Sequence, residues 1–510
     1  MNLDPPAPPS SAGPNHRGGT YLVLFLVCSL LLILPSIALW WRSTGGPLRV
    51  TPYEYDYFLG FFGSDYNGRT LPVLMVGKAC HALILGLTGY GFWKYVQAQS
   101  ASSSAMSPNF MILISVLSGL IYLGALAWMS PDVYFYFGTG WLESHYGGNP
   151  YAHVIAQIRG YQGDPMFDNI HVAWLYIITP YGPLFVKLAT FVAWLSGGSQ
   201  LASLLIFKFL CGLAHACNCV LAYRIAQRLG ANPGPSLLLW ALNPVMLFAF
   251  LAANHNDVFL LLCLLGTLDL VLQGREIQAV LVLALGVGLK YMPVFILPFL
   301  LLYLTRKDPL PRAVGRALLL GLGFLVVSLL PSFFYENGLD NFLRLLKGRD
   351  QLLRNFLYLE TYHVLGLFGP ISERAFNLVK WTYKGAFVAC YGAIWVRGFL
   401  KREAFDFEAL LQSCLLAFLA YFLIGSPELH EWYLPWFFPF AFFSRDRRLF
   451  RFGMVLSSCI LPLIGFEVRS PFPILMAARY GCFAVIWCAA YFCLYRPRKV
   501  MAVSPIFVMT

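Results

Sequence analysis

The feature that most constrains this chain is a series of apolar runs about as long as a bilayer is thick. The first is TYLVLFLVCSLLLILPSIALWW at 20–41. A helix needs roughly 20 apolar residues to cross a hydrocarbon core of about 30 Å, and such runs recur about twelve times along the chain. Of the 510 residues, 58% are hydrophobic and only 12% are charged. We therefore expect an all-α polytopic integral membrane protein whose solvent and partner is the lipid bilayer.

Basic residues in short clusters between the apolar runs set the expected topology. The formal net charge is +12, but the Lys and Arg residues do not form the basic face that a nucleic acid requires. Clusters such as Arg306, Lys307 and Arg312 mark cytoplasmic helix ends. The unusual polar stretches then fall on the opposite side. We expect a multi-pass protein of the inner (plasma) membrane, with an extracytoplasmic active site and no nucleic-acid partner.

The N-terminal region and the cysteines suggest neither a secretion signal nor a metal centre. Residues 1–20 are rich in Pro, Ser and Gly, which predicts a disordered cytoplasmic tail. The apolar run that follows is not closed by a small-residue cleavage site, so we expect a membrane helix rather than a signal peptide. The 12 cysteines are scattered through apolar segments, which is typical of buried packing residues.

The apolar run at 174–195 conflicts with the loop charges. A full crossing there would place Arg224 and Arg228 on the outside. We therefore expect this run to lie along the outer interface, or to dip in and return. It would form part of a large first extracytoplasmic loop at 130–199.

The run at 280–304 poses the same problem, because a single crossing would place Arg306 on the wrong side. Proline interrupts the hydrogen bonds of a helix, and backbone freed at membrane depth is tolerated where it lines a cavity. We expect two half-helices hinged at Lys290 and Pro293, with Lys290 facing a cavity from the outer half of the membrane.

Asp132 begins the first unusual polar stretch, SPDVYFYFGTGWLESHYGGNPY at 130–151. An acid at a helix end is commonly just solvated, and aromatic residues there often form an interfacial belt. Here the aromatic faces of Tyr136 and Tyr151 are of a kind that packs on sugar rings, and the sequence around Asn149 predicts a tight turn. We interpret this stretch as part of a site.

Four consecutive polar residues, NHND at 254–257, interrupt two apolar runs with no room for a long loop. Buried polar groups need partners. One explanation is a hairpin turn whose Asn and Asp cap the next helix. The interpretation that we favour is that these four residues form a polar wall of an active site, with Asn254, His255 and Asp257 as candidate substrate-binding residues.

The stretch SPELHEWYLPWFFPF at 426–440 places His430 and Glu431 before a run of aromatic residues. A metal site would need more ligands, for which only His255 and Asp257 are candidates. We expect no cofactor, with a divalent metal as the alternative.

A basic segment at 342–356, FLRLLKGRDQLLRNF, departs from the positive-inside trend. It is either an amphipathic helix anchored on anionic lipid or a site that captures a lipid-linked phosphate. The second function would fall to Arg349 and Arg354, since arginine binds phosphate through two parallel hydrogen bonds.

Five stretches in order resemble membrane-embedded GT-C glycosyltransferases that use polyprenyl-phosphate sugars, and among them the bacterial polyprenol-phosphate-mannose-dependent alpha-mannosyltransferases. They are the stretches at 130–151, 179–185 (TPYGPLF), 242–257, 288–298 (GLKYMPVFILP) and 428–439 (ELHEWYLPWFFP). The resemblance implies a GT-C-like fold with about 12–14 membrane helices, half-helices included. It also implies that Asp132 is the catalytic base and that Asp257 belongs to a second polar motif near the site.

The same resemblance suggests that Lys290 and the HEWY stretch lie near the donor phosphate and sugar. It implies a polyprenyl-phosphate sugar as donor and a glycan or lipid as acceptor, with mannose as the sugar and inversion at its anomeric carbon. The alternative is a transporter or flippase of a lipid-linked sugar, although we find no internal repeat of the kind that many transporters have. The candidate substrate-binding residues are Tyr136, Asn149, Tyr151, Tyr181, Asn254, His255, Asp257, Lys290, Arg349, Arg354, His430, Glu431 and Tyr433.

The expected organisation has four parts. The tail at 1–20 is followed by N-terminal membrane helices at 21–108, a catalytic module at 109–310 and C-terminal membrane helices at 311–510. The last part includes an extracytoplasmic loop at 335–373.

Overall fold

The computed structural model describes residues 16–43, 71–101, 107–125, 132–338, 340, 356–426, 430–459, 484 and 487–491. Across these ranges the regular structure is helical, without a β-strand, which confirms the predicted all-α class. The first helix begins at His16, so only the first 15 residues of the expected tail lie outside the described residues. Most of the basic segment at 342–356 lies outside them as well.

Four of the described helices are long and apolar enough to cross a membrane: Gln200–Arg228, Pro233–Ala252, Leu310–Phe334 and Phe407–Gly425. The chain is accordingly a polytopic membrane protein; the expected number of crossings and the four-part organisation stay predictions. In chain order we label the helices α1 (His16–Ser43), α2 (Leu71–Ala101), α3 (Pro108–Leu123), α4 (Asp132–Ser144), α5 (Pro183–Leu195), α6 (Gln200–Arg228), α7 (Pro233–Ala252), α8 (Asp257–Leu272), α9 (Glu276–Leu289), α10 (Leu297–Thr305), α11 (Leu310–Phe334), α12 (Phe356–Gly366), α13 (Glu373–Leu400), α14 (Phe407–Gly425), α15 (Phe438–Phe442) and α16 (Arg447–Cys459).

The apolar run at 174–195 is not one continuous helix. A short 3₁₀ helix, Val172–Tyr176, is followed by extended backbone, and α5 begins only at Pro183. Its 13 residues span roughly 20 Å at 1.5 Å per residue, which is shorter than a hydrocarbon core of about 30 Å. The structure thus agrees with the expectation that this run does not cross fully.

The run at 280–304 is broken where the sequence predicted. Helix α9 ends at Leu289, and Lys290 is extended (φ −150°, ψ 144°). A 3₁₀ turn, Met292–Phe295, contains Pro293, and α10 starts at Leu297. The two half-helices expected around Lys290 are therefore confirmed.

The polar residues 254–257 form the turn between α7 and α8. Helix α7 ends in a π-helical turn, Leu247–Ala252, and Asn254 takes a positive φ of 56°. Asn is one of the few residues that adopt this conformation readily, so it reverses the chain within a few residues. All four residues of the turn are buried.

Close packing brings the first loop against the broken helix. Helix α4 packs along α5, and α8 packs against both α6 and α9. At the start of α5, the backbone N–H of Gly182 donates to the carbonyl of Leu289 at 3.0 Å. A side chain at position 182 would collide with the backbone of Gly288, so glycine permits this approach. The contact sets Tyr181 beside Lys290.

Candidate functional site

Asp132 is the first residue of α4, and its carboxylate is buried. The hydroxyl of Tyr181 donates to its Oδ2 at 3.2 Å, and Nδ1 of His255 lies 3.9 Å from the same oxygen. A carboxylate in the first turn of a helix is favoured by the positive end of the helix dipole. The acid is therefore held in place by two side chains from other segments of the chain and by the dipole of its own helix.

Tyr136 lies one turn further along α4 and links it to the turn at 254–257. Its hydroxyl is 3.5 Å from Nδ1 of His255 and 3.5 Å from Oδ1 of Asn256. Its ring packs edge-to-face on those of Tyr181 and Phe185, with centroids 4.9 and 4.8 Å away. Aromatic packing of this kind fixes the ring, so the hydroxyl is held within reach of both His255 and Asn256.

Asp257 and Lys290 form a buried ion pair at the break between α9 and α10. The ammonium of Lys290 donates to both carboxylate oxygens of Asp257 at 2.8 Å. Asp257 is fully buried, and the Lys290 side chain is 11% exposed. The ammonium also lies 5.9, 5.1 and 5.5 Å from the ring centroids of Tyr181, Tyr433 and Trp436. The cation is thus enclosed by one acid and three aromatic rings.

Asp132 and Asp257 are close enough to interact electrostatically. Together with Lys290 they give the site two carboxylates and one ammonium. Tyr181 contacts two of these groups, since its hydroxyl donates to Asp132 while its ring faces Lys290. One aromatic side chain thus lies next to both a buried carboxylate and a buried ammonium.

Trp432 joins the HEWY stretch to this site. Its indole stacks with the imidazole of His255 at 4.0 Å and with that of His430 at 4.2 Å, nearly parallel in both cases. Two parallel rings at these distances lie on opposite faces of the indole, so the two histidines do not converge. Among the residues that the structure describes, no group of three or more His, Cys, Asp or Glu side chains is placed to hold a metal ion. The side chain of Glu431 lies outside that description.

Asn149 and Tyr151 form a turn that contacts the backbone of Tyr181. The side chain of Asn149 accepts from the backbone N–H of Tyr151 at 3.0 Å, which closes the predicted tight turn. The Tyr151 hydroxyl donates to the backbone carbonyl of Tyr181 at 2.8 Å. Burial, with a smaller effect of the Glu143 carboxylate, holds the pKa of Tyr151 well above its usual range, so the hydroxyl remains a donor. The turn therefore positions Tyr181.

The structure gathers most of the predicted site residues but not all of them. Asn254 holds the carbonyls of Phe250 and Leu251 through its amide nitrogen. Arg349 and Arg354 lie outside the described residues. Asn256, Trp432 and Trp436 were not among the candidate substrate-binding residues, although each lies within a stretch that the sequence analysis recognised.

The chain was compared with known proteins. Residues 72–306 match the family model described as "Alpha-(1->6)-mannopyranosyltransferase, N-terminal domain". This segment is similar to that family. The match agrees with the resemblance seen in the sequence and supports the predicted enzyme class, a glycosyltransferase.

Two curated relatives carry the name alpha-(1->6)-mannopyranosyltransferase A. The protein of Mycobacterium tuberculosis is 26% identical over 237 residues, or 46% of this chain and 43% of the relative. The protein of Corynebacterium glutamicum is 29% identical over 208 residues, or 41% of each chain. The chain thus spans less than half the length of these relatives. No solved structure gives a significant match.

The segment that matches the mannosyltransferase family contains most of the described site. Asp132, Tyr181, the turn at 254–257 and Lys290 all lie within 72–306, whereas the HEWY stretch follows it. The ion pair and the buried acid therefore lie within the family domain, and Trp432, Tyr433 and Trp436 are added to the site by the C-terminal half of the chain.

Proposed function

We propose that this protein is a membrane mannosyltransferase that moves a mannosyl group from a polyprenyl-phosphate donor to an extracytoplasmic glycan or lipid. The observation that carries the proposal is that Tyr181 contacts both Asp132, through its hydroxyl, and Lys290, through its ring. Transfer from a sugar phosphate requires both a base for the acceptor hydroxyl and a positive charge for the departing phosphate.

Asp132 is the proposed base. Its Oδ2 takes the proton of the acceptor hydroxyl as that oxygen attacks the anomeric carbon. Tyr181 donates to the same oxygen, and it therefore fixes the direction in which the carboxylate presents its other lone pairs. In-line attack from the side opposite the phosphate inverts the anomeric carbon, which is the stereochemistry that we propose.

Lys290 is the proposed cation for the phosphate. The bond between the anomeric carbon and the phosphate oxygen breaks, and the leaving group gains negative charge as a phosphate monoester. A fixed ammonium in a site of low polarity stabilises this charge more strongly than water does. Asp257 holds the ammonium in place before the donor arrives.

The lipid tail and the sugar have separate requirements. Aromatic rings around Lys290 exclude water, which competes with the acceptor for the donor sugar. The polyprenyl chain stays in the bilayer, and the acceptor approaches from the aqueous side of the first loop. We accordingly propose that the site opens on the extracytoplasmic side of the inner membrane.

The test is transfer of radiolabelled sugar from a panel of polyprenyl-phosphate sugars by purified protein in liposomes. We expect wild type to use the mannosyl donor and Asp132→Asn to be about 10²- to 10⁴-fold slower, since this is the usual cost of losing a general base. The matched control is Asp168→Asn, which removes an exposed acid of the same loop and should leave the rate unchanged.

Two other outcomes would overturn parts of the proposal. If Asp132→Asn is as active as wild type, the base is another residue. If wild type consumes no donor but moves labelled lipid between leaflets, the flippase alternative is correct.

The same assay with EDTA tests the expected independence from metal. Loss of transfer in EDTA, with recovery on adding a divalent cation, would make that expectation wrong.

A further inference from the structure

The turn at 254–257 contains three consecutive side chains that each leave a polar atom without a hydrogen-bond partner among the residues that the structure describes. These atoms are Oδ1 of Asn254, Nε2 of His255 and Nδ2 of Asn256. All three residues are at least 99% buried. A buried polar atom without a partner costs about 1–3 kcal/mol, and native proteins contain few of them. Three on one turn, beside Asp132 and Lys290, indicate that a ligand supplies the missing partners.

Each of the three side chains is fixed at its other end. The amide nitrogen of Asn254 donates to the carbonyls of Phe250 and Leu251 at 3.4 and 3.2 Å. The imidazole of His255 faces Tyr136 with Nδ1 and is stacked on Trp432. Side chains held in this way cannot turn to bring the remaining atoms to other partners in the described part of the chain.

Asn256 is oriented by the hydroxyl of Tyr136, which donates to its Oδ1 at 3.5 Å. This leaves the NH₂ group as the open end. If the amide were turned over, the hydroxyl would accept from the nitrogen and the oxygen would be open instead. In either orientation one end of the amide has no partner among the described residues.

The charge around the turn selects the chemistry of the missing partner. The next residue is Asp257, and Asp132 interacts with it electrostatically, so an anion at the open end of Asn256 would be repelled. The ammonium of Lys290 is already directed at Asp257. A neutral group that both donates and accepts fits best, and the hydroxyls of a sugar, spaced within hydrogen-bond reach of neighbouring donors and acceptors, provide it.

We propose that Asn256 binds the transferred sugar: its open amide end forms a hydrogen bond with one sugar hydroxyl, while Nε2 of His255 bonds a neighbouring one. The proposal rests on the proposed function and assigns the sugar to the turn at 254–257, with the phosphate at Lys290. Sites that hydrogen-bond a substrate hydroxyl reject analogues that lack it more strongly than apolar pockets do. Asn256 is therefore a specificity-determining residue.

The test combines the variant Asn256→Ala with mannosyl donors that each lack one hydroxyl, at position 2, 3, 4 or 6. With the parent donor, we expect kcat/KM of Asn256→Ala to fall about 10- to 100-fold, as is usual for one lost buried hydrogen bond. Wild type should lose a similar factor with one of the deoxy donors. In Asn256→Ala, replacing the parent donor by that same deoxy donor should cause no further loss of kcat/KM. Each of the other deoxy donors should lower kcat/KM of the variant by the same factor as it lowers that of wild type.

The matched control is Ser236→Ala. Ser236 is also buried and its hydroxyl also lacks a partner among the described residues, but it lies in the first turn of α7, at the opposite end of that helix from the turn at 254–257. Its removal should leave all donors unaffected. Thermal midpoints in detergent, measured for both variants, establish that they are folded.

The proposal is overturned if Asn256→Ala stays within threefold of wild type, or if every deoxy donor loses the same factor in both proteins, since a buried water would then be the missing partner. Failure of the proposed function looks different: wild type itself would neither transfer the parent sugar nor be stabilised thermally by the donor. That result would overturn this assignment together with the function.

Discussion

The ion pair between Asp257 and Lys290 allows the most quantitative prediction. Replacing one partner leaves the other as an unpaired charge, and doing this to a buried pair costs about 3–5 kcal/mol. The two partners differ in burial, because Asp257 is fully buried while 11% of the Lys290 side chain is exposed. We expect the cost of Lys290→Met to lie at the upper end of this range, since it leaves the carboxylate of Asp257 buried without its cation. Asp257→Asn should lie at the lower end.

The double variant decides whether the cost arises from pairing. At an effective dielectric constant of about 20, two unit charges some 4 Å apart attract by about 4 kcal/mol, which desolvation of both ions largely offsets. The variant with both Asp257→Asn and Lys290→Met contains no buried charge at this position. It should therefore be within about 2 kcal/mol of wild type, with a coupling free energy of about 3 kcal/mol or more between the two positions.

The assay is reversible unfolding in mixed detergent micelles, followed by tryptophan fluorescence for wild type, both single variants and the double variant. Additive free energies of unfolding, with a coupling below about 0.5 kcal/mol, would refute the ion pair as a structural element. Transfer should be abolished in the double variant although its stability is regained, because the cation proposed for the phosphate is absent. A stable and active double variant would also disprove the role of Lys290.

Three further predictions concern how the site is positioned. Tyr181→Phe removes the hydrogen bond to Asp132, so kcat should fall about 10- to 100-fold with little change in KM, and an unchanged kcat would mean that this hydroxyl does not orient the base. Gly182→Ala must displace the backbone at Gly288, so we expect it to lower the free energy of unfolding by about 1–3 kcal/mol and to remove most of the transfer activity. The control is Gly163→Ala, whose added methyl group meets no neighbouring atom and should change neither the thermal midpoint nor the transfer rate. Lys208→Met removes a buried ammonium whose only hydrogen bond among the described contacts is to the carbonyl of Leu251 at 3.3 Å. Since burying a charge is costly, the thermal midpoint of Lys208→Met should hold or rise; a lower midpoint would mean that this hydrogen bond stabilises the fold.

The sequence was most informative where a local rule is strong. Proline and a charged residue inside an apolar run predicted the break at Lys290, because both interrupt a membrane helix for reasons that hold in any fold. The turn at 254–257 was recognised for the same reason, since four polar residues cannot remain in lipid. The simple capping explanation accounts for little of what is observed. Asn256 makes no side-chain capping bond, and Asp257 directs both carboxylate oxygens at Lys290.

Residues that act through tertiary contacts were harder to predict. Nothing local to Trp432 indicates that its indole packs between two histidines, one of them 177 positions earlier in the chain. Tyr181 was recognised through a family motif, but its contact with both Asp132 and Lys290 depends on the close approach at Gly182. Such pairings require the distances between helices, which periodicity and composition do not contain.

The balance of charge in the site bears on the part of the chain that the structure does not describe. Asp132, Asp257 and Lys290 together carry one net negative charge, and the departing phosphate adds more, so a single lysine shared with Asp257 leaves the leaving group under-compensated. Tyr335, at the end of α11, donates to Glu143 on α4 at 3.0 Å and packs its ring against Tyr151. The chain therefore continues from a point fixed against the first loop into the basic segment at 342–356. We expect the missing positive charge to come from that segment, which keeps Arg349 and Arg354 as candidates for the donor phosphate.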